Sequence, residues 1–221
     1  VKLYLNNYSG SNRAKIGEVA LSHLGILFFD ELPHFSKTVL EALREPLEDG
    51  KILISRVNSK IEYKTDFLFA AAMNPCPCGN LLSFKKECRC SEAEIQRYKN
   101  RLSEPFLDRI DLYVQMSEIN PEDSSTISSK EMKKSVLKAF EMQKRRGQKR
   151  VNGKMDEKEI ENYCIFDEEA KEILDRAVDR FSLSFRSINK IKKVSRTIAD
   201  MESSEKIEKR HLLEALGFRK R

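Results

Sequence analysis

The stretch GILFFDEL, residues 25–32, decides how the first half of the chain is read. Four large apolar residues, Ile26–Phe29, run straight into Asp30 and Glu31. A short, unbroken apolar run fits a strand of a parallel sheet covered on both faces. Carboxylates at the end of such a strand stand where open α/β sheets bind their ligands.

Working outward, Ser36 caps an expected helix reaching about Leu47, with Val39, Leu40, Leu43 and Leu47 at helical spacing and Gly50 as its stop. Residues 51–67 then read as a hairpin: Ile52, Ile54 and Val57 lead in, Asn58 and Ser59 turn, and Ile61 and Tyr63 lead out. A second buried strand, Phe67–Met73, ends at Asn74 before Pro75, because proline donates nothing to a ladder. A third strand is expected at Leu112–Val114. The polar stretch 117–129, with Pro121 and several serines, reads as a linker. Beyond it the pattern is helical: Met132, Val136, Ala139 and Phe140 share a face, and further helices start near Asp167 and Ser184, all expected to pack as ordinary core. The expectation is therefore α/β plus α, with domains at 1–116 and 130–221.

The chain has 221 residues and a formal net charge of +6. The first 115 residues carry 16 basic and 15 acidic side chains and the remainder 25 and 20, an excess that permits nucleic-acid binding without demonstrating it. No apolar run approaches the ~18–20 residues of a membrane span, and the N-terminal residues lack a signal-peptide pattern, so a cytoplasmic protein with no membrane partner is expected.

Four features carry chemistry. Asp30 suits a magnesium ligand acting mainly through its waters, and Glu31 suits a group that orients an attacking water, the Walker B arrangement; strands also end in acids for no such reason. Asn74 can donate to a γ-phosphate and accept from the water, as a sensor 1 residue does, or simply serve as a turn residue. Arg109 fits an exposed arginine finger reaching a neighbour's phosphate, or else a surface ion pair. Arg186 sits in the first turn of a helix, where the dipole disfavours a cation unless a phosphate compensates it; this suits sensor 2, and an ordinary solvated arginine is the alternative.

Five cysteines include Cys76, Cys78, Cys88 and Cys90 within 15 residues, as C-P-C-x9-C-R-C. In an intracellular chain four such thiols fit a structural zinc site, with reduced cysteines or a redox pair as the alternative. Cys164 reads as a core residue, the basic run Lys144–Arg150 as a solvated helix end, and His23, His34 and His211 show no partner spacing.

The order of these features, with "KIGEVALSHLGILFFDELPHFSKTVLEALREPLEDGKILISR", "AAMNPCPCGN", "CRCSEAEIQRYKNRLSEPFLDRIDLYV" and "SRTIADMESSEKI", resembles the Mg-chelatase-like AAA+ ATPases of bacteria, the competence protein ComM (YifB) group, over residues 16–217. The resemblance implies a partial AAA+ core followed by a helical lid. It assigns Walker B to Asp30 and Glu31, sensor 1 to Asn74, the finger to Arg109 and sensor 2 to Arg186. It further implies ATP with Mg2+, a homo-hexameric ring and action on DNA in recombination or transformation. The hairpin Lys51–Lys64 would then point into the ring channel, with Arg56, Lys60 and Lys64 as phosphate contacts, though a solvated hairpin fits equally. The family's Walker A loop, G-x-x-x-x-G-K-[ST], is absent from these 221 residues: Gly50-Lys51 precedes Ile52 and Gly153-Lys154 precedes Met155. The expectation is a fragment that does not hold ATP alone, with strand edges covered by a partner or by its N-terminal segment. A non-enzymatic zinc-braced DNA-binding module and a magnesium-chelatase ATPase subunit are the alternatives.

Overall fold

The computed structural model describes residues 17–56, 59–118 and 122–219. Val57 and Asn58, Pro121 of the linker, and the N-terminal segment lie outside the described residues, while Ser59, expected in the turn with Asn58, is the first residue of a strand. The chain falls into two compact units divided between Ile110 and Asp111, so Asp111–Met116 cluster with the second unit.

In the first unit, α1 (Glu18–Leu21) leads to β1 (Ile26–Phe29). A 3-10 turn, Leu32–His34, is followed by α2 (Lys37–Ala42) and α3 (Arg44–Asp49). The single helix expected from Ser36 is thus interrupted at Leu43. Ser36 caps it as expected, accepting from the Val39 N–H. Gly50 ends it at φ 64°, a left-handed value that a residue without Cβ adopts at low cost. The hairpin β2 (Lys51–Arg56) and β3 (Ser59–Lys64) follows, antiparallel, with Lys51 opposite Lys64 and Ile54 opposite Ile61. Then β4 (Leu68–Ala71) pairs with β1 in parallel, Phe29 opposite Ala71. After the cysteine loop come α4 (Glu92–Lys99) and α5 (Glu104–Leu107).

β1 is covered on one face only. Leu27 and Phe29 are buried, while Ile26 is 65% and Phe28 60% exposed. The sequence led us to expect two covered faces, because both sets of alternating residues are apolar; among the described residues only one layer packs here. That layer holds Phe29 against Phe35 and Phe69, with Phe69 edge-on to the fully buried Phe106 of α5. The strand expected at Leu112–Val114 does not form; in this segment the Tyr113 N–H donates to the Phe218 carbonyl at 2.7 Å.

The second unit is helical: α6 (Ser129–Arg145), α7 (Glu157–Tyr163), α8 (Glu168–Phe181), α9 (Phe185–Met201) and α10 (Lys209–Gly217). Ala170, Leu174, Ile191, Ile198, Leu212 and Ala215 form its core, beside a second cluster that includes Cys164 and Ile207. The stripe on α6 is a correction: Ala139 is buried, but Met132, Val136 and Phe140 are about half exposed. Arg146, expected on a solvated helix end, instead joins a buried network. It pairs with the fully buried Asp200, which also accepts from Asn152 at 2.8 Å and from the fully buried Arg196 at 3.1 Å. Arg196 continues to the carbonyls of Glu205 and Ser204, closing the loop after α9. Among the described residues no helix is long and apolar enough to cross a membrane.

Candidate functional site

Parallel pairing of β1 with β4 sends both strands in one direction, so the residues that follow them emerge at one end. Those residues are Asp30 and Glu31 after β1, and Asn74 three residues beyond β4. Two backbone bonds carry the pairing past the strands, from the Ala72 N–H to the Phe29 carbonyl at 2.8 Å and from the Leu32 N–H to the Ala72 carbonyl at 2.9 Å. Asp30, Glu31 and Asn74 are all exposed, and the Asp30 carboxylate accepts the Glu31 N–H at 3.0 Å.

Glu31 takes the left-handed conformation, φ 52° and ψ 49°. For a residue with a Cβ this costs about 1–2 kcal/mol, and such strain gathers at functional sites. Its carboxylate lies 3.2 Å from Nδ1 of His34, and the His34 ring stands edge-on to the ring of buried Tyr98 on α4. Burial raises the Tyr98 phenol above its ordinary value, partly opposed by the Asn74 backbone. Arg101, just past α4, donates to the Pro33 carbonyl at 3.4 Å. His34, Tyr98 and Arg101 were not marked by the sequence, since their partners are brought close only by the fold.

The four cysteines converge. Their sulfurs all lie within 4.8 Å of one another, with Cys76–Cys78 at 3.4 Å and Cys76–Cys88 and Cys78–Cys88 each at 3.7 Å. Four thiolates about 2.3 Å from a tetrahedral zinc stand about 3.8 Å apart, so the spacing fits the metal. All four are free thiols, and Cys76 is fully buried. Backbone N–H groups of Asn80 and Arg89 stabilise the Cys78 thiolate and bring its pKa down to about 6. Loss of solvation pushes the Cys90 thiol up to about 12. The loop folds back on Asn74: at Gly79, φ 79°, a Cβ would meet the Asn74 side chain at 3.9 Å. Its far end runs directly into α4, capped by Ser91 and Glu94 in a reciprocal box.

Arg109 follows α5 and is not the exposed arginine expected. Its side chain is 10% exposed, paired with Glu48 of α3 and bonded to the Pro105 carbonyl, with Nε buried and unpartnered. The hairpin register, by strand alternation, puts Lys51, Lys60 and Lys64 on one face with Leu53 and Glu62. Lys51, which the sequence did not single out, pairs with Glu62 at 2.9 Å. Arg56 closes the ladder opposite Ser59, and its side chain lies outside the described residues. Arg186, the second residue of α9, is exposed in the second unit. His211 is fully buried, accepting the Glu208 N–H at 3.0 Å and facing Glu202 at 3.1 Å.

Comparison with known proteins is consistent with this layout. The family described as Magnesium chelatase, subunit ChlI, matches residues 8–124, and its C-terminal counterpart matches residues 126–219. Competence protein ComM of Haemophilus influenzae is 42% identical over 216 residues, covering 95% of this chain and 42% of that protein. The uncharacterized YifB proteins of Salmonella typhimurium and Escherichia coli are each 41% identical over 208 residues, covering 92% of this chain and 40% of theirs. The chain thus spans about two fifths of the length of these curated relatives. It belongs to the magnesium-chelatase-like family, in the group that includes ComM and YifB.

Proposed function

We propose that this chain is the Walker B, sensor and lid part of a AAA+ ATPase that works on DNA as a hexameric ring. The observation that carries the reading is the delivery of Asp30, Glu31 and Asn74 to one end of a parallel strand pair. Asp30 would hold magnesium through water, and the metal would neutralise charge on the nucleotide phosphates. Glu31 orients and deprotonates the attacking water, and Asn74 holds that water against the γ-phosphate. Arg109 acts on the nucleotide of a neighbouring subunit, and Arg186 contacts phosphate from the lid.

The family's phosphate loop is absent from the sequence, so the chain alone binds ATP negligibly. Among the described residues the Ile26 and Phe28 face of β1 is uncovered, which favours a further layer packing there. The name of the Haemophilus relative, a competence protein, favours DNA as the partner. The cysteine cluster holds a structural zinc that braces the loop between Asn74 and α4, and this also supports the alternative of a non-enzymatic zinc-braced module. The family match keeps a magnesium-chelatase subunit as another alternative.

The deciding experiment is DNA-stimulated ATP hydrolysis by the complete protein. Glu31→Gln is expected to lower the rate by about 10²-fold or more, the worth of a general base. Turnover unchanged by Glu31→Gln sinks the assignment, and DNA binding without hydrolysis selects the non-enzymatic module.

A further inference from the structure

We propose that Glu48 is a positioning residue that ties Arg109 to the base of the β2–β3 hairpin, so that the arginine finger and the hairpin move as one block. The proposal rests on the functional reading of Arg109 and of the hairpin given above.

Two carboxylates of the α2–α3 pair grip the two ends of α5. Glu41 accepts from the hydroxyl of Ser103, the N-cap of α5, at 2.5 Å. Glu48, about two helical turns further on, meets Arg109 just past the other end. The Ser103 hydroxyl, and then the Arg44 guanidinium, hold the Glu41 carboxyl below its ordinary value, as expected for a carboxylate engaged at that end. Between them Phe106 is fully buried against Phe69 of β4. α5 therefore has little freedom to move without α2–α3.

The same α3 is fixed to the hairpin. Gly50 ends the helix and Lys51 begins β2 at once. Thr65, buried at 2% exposure directly after β3, donates its N–H to the Gly50 carbonyl at 2.7 Å and its hydroxyl to the Pro46 carbonyl at 3.3 Å. Both ends of the hairpin thus close on the end of α3, at Pro46 and Gly50, each two residues from Glu48. Arg109, at 10% exposure, can extend toward another subunit only by leaving Glu48. Its unpartnered Nε leaves a donor for a second acceptor. A displacement of the hairpin shifts α3, moves Glu48, and changes how far Arg109 is released. DNA contact at the hairpin and charge stabilisation at the neighbouring nucleotide are linked through this one ion pair.

The test uses the complete protein, with ATPase rates measured with and without a single-stranded oligonucleotide. Arg109→Ala is expected to lower both rates by about 10³-fold, the worth of an arginine finger. Glu48→Gln is expected to lower the stimulation ratio by about tenfold, the size of a common site-to-site coupling. Glu48→Asp keeps the charge and is expected to restore most of that ratio. If Arg109→Ala is inactive while Glu48→Gln keeps its stimulation, the coupling is wrong and the finger stands. Should Arg109→Ala hydrolyse ATP normally, the finger assignment fails and the coupling with it. An unmodified protein that DNA does not stimulate overturns both the coupling and the DNA reading. Equal loss in Glu48→Gln and Glu48→Asp also overturns the proposal, because only the packing of the side chain would then matter.

Discussion

Replacing Cys76 by serine tests the metal site on the chain as it stands. Cys76 is fully buried, and its sulfur lies 3.4 Å from Cys78 and 3.7 Å from Cys88. A zinc bound there closes the loop from Cys76 to Cys90, which spans 15 residues. Treated as a cross-link, a loop of that length restrains the unfolded chain by about 3 kcal/mol. At about 4–8 °C per kcal/mol for a unit of roughly this size, losing the closure lowers the melting temperature by about 12–24 °C. The assay is native mass spectrometry for one zinc per chain, followed by calorimetry of the unmodified protein, the protein with a chelator, and Cys76→Ser. Cys164→Ser serves as a control far along the chain, since Cys164 stands in another cluster, where burial raises its thiol to about 11. Chelation and Cys76→Ser should converge on the same lowered transition. Protein purified without zinc, or a melting temperature that neither perturbation moves, refutes the reasoning.

Asp200→Ala leaves Arg196 and Arg146 without their shared carboxylate inside the second unit, and chemical denaturation should show a loss of about 3–5 kcal/mol. Combined replacement of Lys51, Lys60 and Lys64 by alanine should flatten the salt dependence of single-stranded DNA binding, reducing the slope of log affinity against log salt by about 2 in fluorescence titrations.

Features set by near neighbours in the chain were legible. Ser36 and Gly50 bound their helices and a hairpin forms where expected, because caps, left-handed stops and alternating strands are local chemistry, although Ser59, expected in the turn, instead pairs with Arg56 as the first residue of β3. Asp30 and Asn74 at neighbouring strand ends were legible for the same reason, once the two strands were taken as parallel. Partners distant in sequence were not. Arg109 carries no mark of Glu48, and Asp200 carries none of Arg146 or Asn152. On α6 the periodicity identified a stripe correctly, yet only Ala139 of Met132, Val136, Ala139 and Phe140 is buried. Amphipathic spacing says that a face is apolar; what lies against it is decided elsewhere. The split face of β1 teaches the same point, because Ile26 and Phe28 are as apolar as Leu27 and Phe29.

Backbone strain falls at both ends of β1. β1 is flanked by two non-glycine residues in left-handed conformation, Leu24 at φ 60° and Glu31 at φ 52°. A sequence under pressure for stability alone would favour glycine at either position. At Glu31 a strain of about 1–2 kcal/mol falls on the residue proposed to orient water. The Leu32 N–H, bonded to Ala72, and His34, beside the carboxylate, fix that strained residue from its downstream side. Across the sheet a true glycine, Gly79, takes the left-handed turn that lets the cysteine loop approach Asn74. Leu24, Ser182 and Ser203 carry the same left-handed strain, so what supports the role proposed for Glu31 is its place at the end of β1, with its carboxylate held beside His34.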